Sequence, residues 1–350
     1  MSHEITIRAD GFAEAAFAME PAWHGLGAVL DHAPTSKEAV AAAGLDWRVI
    51  QEAVYRKRPV SELTPLTSEY AEVAGHLLNI REDSGLVLGM VGETYRVVQN
   101  AEAFEFLDAL VEGHEMLYES AFSLYGGRRV VLLARMPGVQ TVGKEDHILP
   151  YILMSTSHDG AGSIKFGPVA TRTVCANTYA VALDEGTTRE LAVSHTGDIK
   201  AKLGRARAIL ALASEQFARY AELGRQLAER RLTTDEWGEY LDIMCPRLDP
   251  RDPDYTPRRA EALNMTRMQV TSRWVNERQN LEGIEHSAWA AYNAVAEHVD
   301  HLPRRGASRR AKSEARFNVT LYGTGRDIKE RALRTACKFT GVEYEKAMAI

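Results

Sequence analysis

Cysteines, long apolar runs and an apolar leader are scarce or missing in this chain of 350 residues. Its 3 cysteines stand far apart, at Cys175, Cys245 and Cys337. This spacing indicates reduced thiols and gives neither a disulfide framework nor a zinc-binding pair. No run of about 18 apolar residues is present, which argues against a transmembrane helix. The first residues show no basic stretch followed by an apolar one, so we expect no secretory signal and a cytoplasmic protein.

The chain also lacks the compact motifs of common catalytic and nucleotide-binding sites. "GTG" at 323–325 is not followed by Gly-Lys-Ser/Thr, so it does not predict a phosphate loop. His158, Asp159 and His195 are residue types that can bind zinc or iron, but they match no compact ligand pattern, since these two histidines do not lie one helical turn apart and no CxxC is present. We therefore predict neither a metal site nor another cofactor.

Charge is distributed unevenly along the chain. The whole chain has a net charge of -6, but residues 1–150 carry -10 and residues 301–350 carry +7. An acidic front and a basic tail indicate a polyanionic partner for the tail or head-to-tail self-association. A solvated basic helix is the alternative.

The pattern of apolar and turn residues predicts an α+β fold. "MLYESAFSLY" (116–125) and "RRVVLLARM" (128–136) read as two strands joined at Gly126-Gly127, the strongest hairpin signal in the chain. Strand-like segments at 147–157 and 163–183 follow after short polar turns, which favours an antiparallel meander. Asn100 is expected to cap a helix over 101–113.

From Asp198 onward the pattern becomes helical. Long amphipathic stretches follow, interrupted by a loop rich in Pro and Asp at 245–257. We therefore predict two regions: a sheet-containing core over 1–197, and a helical region with a basic C-terminal segment over 198–350.

Residues 155–183 combine His158, Asp159, Cys175 and Asn177 between two apolar runs. A cysteine nucleophile needs a base and an orienting group, and these residue types, with His195 further on, are present. Cys175 nevertheless lies within an apolar run without a nucleophile elbow, which is typical of an inert thiol. The alternative for His-Asp-Gly is a turn in which Asp159 accepts a backbone hydrogen bond and Gly160 adopts positive φ.

Two groups of cations favour contact with phosphates. One lies on the hairpin and on the segment after His-Asp-Gly, and the other lies just inside a helix predicted to begin near Asp198, where exposed amides add positive potential. The eight cations are Arg128, Arg129, Lys165, Arg172, Lys200, Lys202, Arg205 and Arg207. Helical spacing places Lys200 and Arg207 on one face and the other two cations of that helix elsewhere, so some of them can simply be solvated.

The densest basic run is "RRGASRRAKSEAR" at 304–316, and Lys329, Arg331, Arg334 and Lys338 continue it along the last predicted helix. Arginine-rich segments with Gly and Ser between the charges commonly follow a nucleic-acid backbone. They also occur as solvated arms.

Several of these segments together resemble the phage- and plasmid-related proteins grouped as domain of unknown function 932. The similar segments are "AWHGLG", "GMVGETYRVVQNAEAFEFLD", "GGRRVVLLAR", "TSHDGAGS", "RTVCANT", "HTGDI" and "AWAAYNAVAEHVDH". The resemblance covers residues from about 20 to 340 and implies a protein of phages, plasmids or integrated elements. It carries over no catalytic residue.

The order of the elements is similar to that of the single-strand annealing superfamily of Redβ, RecT and Erf, at the level of fold only. Those proteins form rings or filaments and hold single-stranded DNA in a positively charged groove between a β element and helices. We therefore expect a homo-oligomeric protein, more a binding protein than an enzyme, that binds or anneals single-stranded DNA in recombination, with RNA or duplex DNA left open.

Two alternatives remain at this point. One is a phage-derived nuclease or hydrolase that uses His158, Asp159 and Cys175. The other is a host-interaction (anti-defence) protein that binds a host protein through its acidic front half.

Overall fold

A computed structural model shows the architecture of the chain. It describes residues 5–19, 26–62, 64, 67–105, 108, 116–172, 178–180, 192–196, 201, 204, 213–276, 279–301 and 324–348. Strands and helices are numbered along the chain, and the described strands form a larger and a smaller sheet.

The larger sheet has the strand order β11-β10-β9-β7-β6-β1-β2, with β12 beside β10 and β8 beside β9. Its strands are β1 Ala15–Ala18, β2 Ala28–Leu30, β6 Leu117–Leu124, β7 Arg129–Arg135, β8 Gln140–Val142, β9 Asp146–Ser157, β10 Ile164–Arg172, β11 Thr178–Ala180 and β12 Ala192–Val193. The pairs β6–β7, β8–β9 and β10–β11 are antiparallel, whereas β1 and β2 run parallel. The strands β6, β7, β9 and β10 thus lie side by side in chain order, as the short polar turns predicted.

The hairpin predicted at Gly126-Gly127 is confirmed. β6 and β7 pair from Leu117↔Arg135 to Leu124↔Arg129. Between them, Tyr125, Gly126 and Gly127 all have positive φ. Glycine reaches this region without steric cost, and two adjacent glycines therefore permit the tight reversal.

The smaller sheet consists of β3 Val49–Lys57, β4 Tyr70–Arg81 and β5 Leu86–Gly92, in the order β3-β4-β5. Both pairs are antiparallel. The turn between β4 and β5 contains Asp83 and Gly85, and Gly85 has a φ of 67°, in agreement with the turn expected there.

The described helices are α1 Ser36–Ala42, α2 Ala213–Glu229, α3 Thr234–Met244, α4 Pro257–Trp274, α5 Ala288–His301, α6 Thr324–Thr340 and α7 Tyr344–Met348. Residues 100–105 are helical as well. None of the helices in the described part of the chain is both long enough and apolar enough to cross a bilayer. Antiparallel sheets in the N-terminal half and helices in the C-terminal half confirm the predicted α+β class.

The chain divides into two compact units. The first comprises Met1–Met136, Ile152–Gly167 and Asp184–Ala211, and the second Pro137–Tyr151, Pro168–Leu183 and Leu212–Ile350. The boundary predicted between residues 197 and 198 lies outside the described residues and stays a prediction.

Helix α5 forms the centre of the second unit. Trp289 is fully buried, and its indole Nε1 donates a hydrogen bond of 2.6 Å to Oδ2 of the buried Asp146. Gly224 of α2 faces this ring, because a Cβ at Gly224 would lie 3.2 Å from the Trp289 side chain. The missing side chain therefore lets α2 approach α5 closely.

Candidate functional site around His158

His158, Asp159 and Gly160 form the turn that leaves β9. The Asp159 Oδ1 atom accepts hydrogen bonds from the Ser157 hydroxyl and, at 2.9 Å, from the backbone N–H of Ala161. Gly160 has a φ of 78°. Both features agree with the predicted turn, in which a short carboxylate bonds the backbone two residues on and glycine supplies the left-handed conformation.

The His158 side chain is completely buried in the first unit. Its Nε2 lies 3.0 Å from Oδ1 of Asn100. Asn100 Nδ2 donates to the Leu45 carbonyl, so Oδ1 is the acceptor and His158 Nε2 must carry the proton. The remaining nitrogen, Nδ1, is then a bare lone pair, and no hydrogen-bond partner for it occurs among the described residues.

The backbone of His158 is held as firmly as its ring. Its N–H donates to the Arg128 carbonyl at 2.9 Å, and its carbonyl accepts from Asn79 Nδ2 at 2.8 Å. The edge of the ring meets Trp47, with 5.7 Å between the ring centroids. The hairpin, β4 and the segment before β3 thus fix a single orientation of the imidazole.

His195 is the second buried imidazole of the first unit. Its Nδ1 lies 3.1 Å from the Arg96 carbonyl, so Nδ1 carries the proton and Nε2 is bare, again without a partner in the described part of the chain. Tyr95 stacks on the ring with 4.6 Å between centroids and donates its hydroxyl to the Ser157 carbonyl at 2.8 Å. Tyr95 therefore links His195 to the turn that carries His158.

Burial keeps both imidazoles neutral. Desolvation is the main cause that lowers the pKa of His158 to about 3, and a charge on nearby His195 would lower it further. Desolvation likewise lowers the pKa of His195, while the carboxylate of Asp159 opposes the shift of both. Burial raises the pKa of the Tyr95 hydroxyl well above its usual value. The site presents two neutral imidazole lone pairs at pH 7.

Metal binding and cysteine catalysis are the alternatives that the residue types of this segment raise. Within the described residues, no three or more His, Cys, Asp or Glu side chains are grouped so that they could hold a metal ion. The structure brings His158, Asp159 and His195 within electrostatic reach of one another. Cys175 and Asn177 lie outside the described residues.

Gly89 of β5 allows the turn to approach the smaller sheet. A Cβ at this position would lie 2.3 Å from the backbone carbonyl oxygen of Asp159, closer than any real contact. Because backbone atoms cannot move aside as a flexible side chain can, the turn and β5 must have glycine here.

We expect Gly89→Ala to destabilise the protein by about 1–3 kcal/mol, because the added methyl group would push the turn away from β5. Gly92→Ala is the matched control on the same strand, since no described atom lies within 4 Å of a Cβ there. Urea unfolding of the two variants and the wild type measures the difference. Equal midpoints for both variants would contradict the predicted contact.

Three of the predicted phosphate-binding cations lie near the turn. Arg128 and Lys165 are half-buried, and Arg129 is buried, with its guanidinium Nη2 3.8 Å from a Cβ placed on Gly162. Burial, and secondarily the positive charge of Arg129, lower the pKa of Lys165. Arg129 and Lys165 are thus close enough for each to feel the charge of the other.

The side chains of the other five predicted cations lie outside the described residues. Arg172 ends β10, but its side chain lies outside the description, as do Lys200, Lys202, Arg205 and Arg207. Their convergence on one groove stays a prediction. The basic run 304–316 also lies outside the described residues.

Two of the four cations predicted along the last helix are paired with carboxylates within the second unit, whereas Arg331 and Lys338 are exposed. Lys329 is fully buried and donates to Asp300 at 2.8 Å. Arg334 forms ion pairs with Glu330 and Glu345. These contacts neutralise charges that spacing alone placed in solvent.

Asn79, Tyr95 and Asn100 hold the site together and were missed by sequence reasoning. Asn100 begins its helix, but its side chain binds Leu45 and His158 and does not cap the helix end as predicted. An Asn within the apolar strand around residue 79 was the one available signal, since a buried amide needs polar partners.

Comparison with known proteins gives a family for the chain. The family model described as domain of unknown function (DUF932) matches residues 87–322, about two thirds of the chain. No curated protein and no solved structure matches the chain. The match includes β6 to β10, the His158 turn and the helices α2 to α5. The chain belongs to the family of proteins that contain this domain of unknown function 932.

Proposed function

We propose that this chain binds single-stranded nucleic acid, most directly single-stranded DNA, through the phosphates of its backbone. The observation that carries the proposal is the pair Lys165 and Arg129 beside the His158 turn. Both cations lie beside the same turn, and burial, followed by the charge of Arg129, lowers the pKa of Lys165. A phosphate beside these two cations would accept charge-assisted hydrogen bonds from them.

The proposed contact surface contains Arg128, Arg129 and Lys165. The five predicted cations whose side chains lie outside the described residues are proposed to belong to it as well. Arg128 and Arg129 stand at the start of β7, and Lys165 stands near the start of β10. Phosphate contacts of this kind give affinity without base preference, because every nucleotide presents the same backbone.

Annealing in recombination is the process that we propose for this binding. The resemblance to phage- and plasmid-related proteins and the fold-level analogy to Redβ, RecT and Erf support it. Such a protein works as a homo-oligomer, in a ring or filament, because the strand must be held over many nucleotides.

We expect the Lys165→Gln variant to bind a single-stranded oligonucleotide more weakly than the wild type and to lose about 0.7 from the slope of log affinity against log salt. Fluorescence anisotropy between about 50 and 200 mM salt measures both quantities. Lys57→Gln is the matched control, because it removes the same charge from an exposed lysine that pairs with Glu69 at 2.9 Å.

Absence of binding by folded wild-type protein at low salt would remove the proposal. Identical slopes for the wild type and the Lys165 variant would remove Lys165 from the contact surface. A duplex of the same sequence and an RNA strand, measured in parallel, test the preference for single-stranded DNA.

The bare Nε2 of His195 favours a second candidate, a hydrolase or nuclease. A neutral imidazole whose tautomer is fixed by a hydrogen bond can act as a general base. His158, with a pKa of about 3, is too weak a base for that role near pH 7. Cleavage of the oligonucleotide during the titration, lost in His195→Gln and Cys175→Ala, would favour this candidate over simple binding.

A further inference from the structure

We propose that the free edge of β5 pairs with β5 of a second copy of this chain. The inference goes beyond the proposed function and does not depend on nucleic-acid binding, because two identical edges related by a two-fold axis form a closed dimer. Among the described strands, β5 has one neighbour, β4, so its other edge presents unpaired backbone groups. Such an edge is a template for another strand.

The sequence of β5, Leu-Val-Leu-Gly-Met-Val-Gly, contains none of the residues that normally protect an edge. It has no charge and no proline over its 7 residues. Lysine, other charges or proline usually block edge-to-edge pairing. The opposite edge of the same sheet differs, since the side-chain amide of Gln99 bonds both the N–H and the carbonyl of Val49, each at 3.0 Å.

An apolar surface continues to this edge on one face of the sheet. The register pairs Ile50 with Ile80 and Ile80 with Val87, and it pairs Leu78 with Met90. Directly opposed residues point to the same face, so these side chains form a continuous apolar surface. Val87 is 42% and Met90 is 56% exposed. A second β5 would cover both at the place where the surface now ends in solvent.

A register shift between β4 and β5 decides which face of the sheet each residue of β5 occupies. Gly89 pairs with Asn79 and Val87 with Ile80, which leaves Leu88 as an extra residue. Leu88 is buried, whereas Val87 and Met90 remain outside. The apolar side chains of Val87 and Met90 are therefore not buried within their own unit.

Charge at the two ends of β5 favours an antiparallel pair of copies. Exposed Glu82 precedes the strand, and exposed Glu93 and Arg96 follow it. Asp83, also before the strand, is already paired with Arg81 at 2.7 Å. Parallel pairing would place Glu82, Glu93 and Arg96 each beside the same residue of the other copy, a repulsive arrangement. Antiparallel pairing avoids these contacts and places Glu82 at the end that carries Arg96 of the other copy, which favours a second copy as the occupant of the edge.

The test is sedimentation velocity without nucleic acid over a range of protein concentrations. We expect the wild type to sediment as an assembly and the Val87→Lys/Met90→Lys variant as a single chain of 38.8 kDa. The matched control is Val60→Lys/Val139→Lys, which adds the same charge at two other exposed valines and should assemble like the wild type. Circular dichroism verifies that each variant is folded.

A wild type that stays a single chain at every concentration would overturn the proposal, as would a folded β5 variant that assembles normally. If the β5 variant does not fold, hydrogen exchange of the wild type tests whether β5 pairs between copies. The amides of β5 must then exchange more slowly as concentration rises, and exchange that is independent of concentration would overturn the pairing. Oligonucleotide binding by the single-chain variant separates this outcome from the proposed function.

Discussion

Replacing Asp300 with Asn is expected to lower the free energy of unfolding by about 3–5 kcal/mol, because it removes the counter-charge of a buried ammonium group. The Lys329 side chain is 0% exposed and that of Asp300 is 6% exposed, with 2.8 Å between Nζ and Oδ1. A charge with so little access to water depends on its partner for stabilisation. Urea unfolding measures the loss as a lower midpoint at an unchanged slope.

The pH dependence of the Asp300→Asn variant gives this prediction a distinct signature. Burial lowers the pKa of Lys329 from 10.5, and Asp300 opposes that shift, so the variant must have a still lower pKa. Between the folded pKa and 10.5, the unfolded chain binds a proton that the folded chain does not. Stability therefore rises with pH in this range, and we expect the rise to begin at lower pH and to be larger in total in the variant than in the wild type.

Two comparisons test the cause of the Asp300 effect. Glu282→Gln removes a carboxylate from the exposed pair with Lys144 and should cost less than about 1 kcal/mol. Adding Lys329→Met to Asp300→Asn removes the stranded charge, so the double variant should be more stable than the sum of the single effects allows. Strict additivity of the two changes would contradict a buried ion pair.

The fold class was predictable because its signals are local. Gly126-Gly127 between two apolar runs specified the hairpin, since only the turn and its flanking strands are needed to read it. The short polar turns specified for the same reason that β7, β9 and β10 are neighbours, whereas the short strand β8 beside β9 was not predicted. The parallel pairing of β1 and β2 joins segments about ten residues apart without a local signature, and the sequence did not predict it.

The partners of the site could not be predicted, because they come from distant parts of the chain. Asn79 lies 79 residues from His158, and Asn100 lies 58 residues from it. The partner of Lys329 could not be predicted for the same reason. Its helical spacing matched a solvated stripe, and only the position of Asp300 on α5 explains why a lysine is buried there. Residue type indicated that these groups need polar partners, but tertiary packing chose which ones.

The His158→Gln variant is expected to resist acid better than the wild type. Burial lowers the pKa of His158 to about 3, whereas an unfolded chain has a histidine pKa of 6.5. Below 6.5 the unfolded state binds a proton that the folded state excludes, so stability falls as pH falls towards 3. At about pH 4.5 this group alone removes about 3 kcal/mol relative to neutral pH. Gln keeps an N–H donor for Asn100 but does not titrate.

The measurement compares the free energy of unfolding at about pH 7 and pH 4.5 within each protein, so that the packing lost with the imidazole cancels. His32→Gln is the control of opposite sign. Asp31 accepts a hydrogen bond from the exposed His32 and raises its pKa, and the resulting stability is present in acid and lost as pH rises. The His32 variant should therefore be slightly more sensitive to acid than the wild type. An acid loss in His158→Gln as large as that of the wild type would mean that His158 is protonated in the folded chain, and the neutral imidazole inferred from its buried hydrogen bond to Asn100 would be wrong.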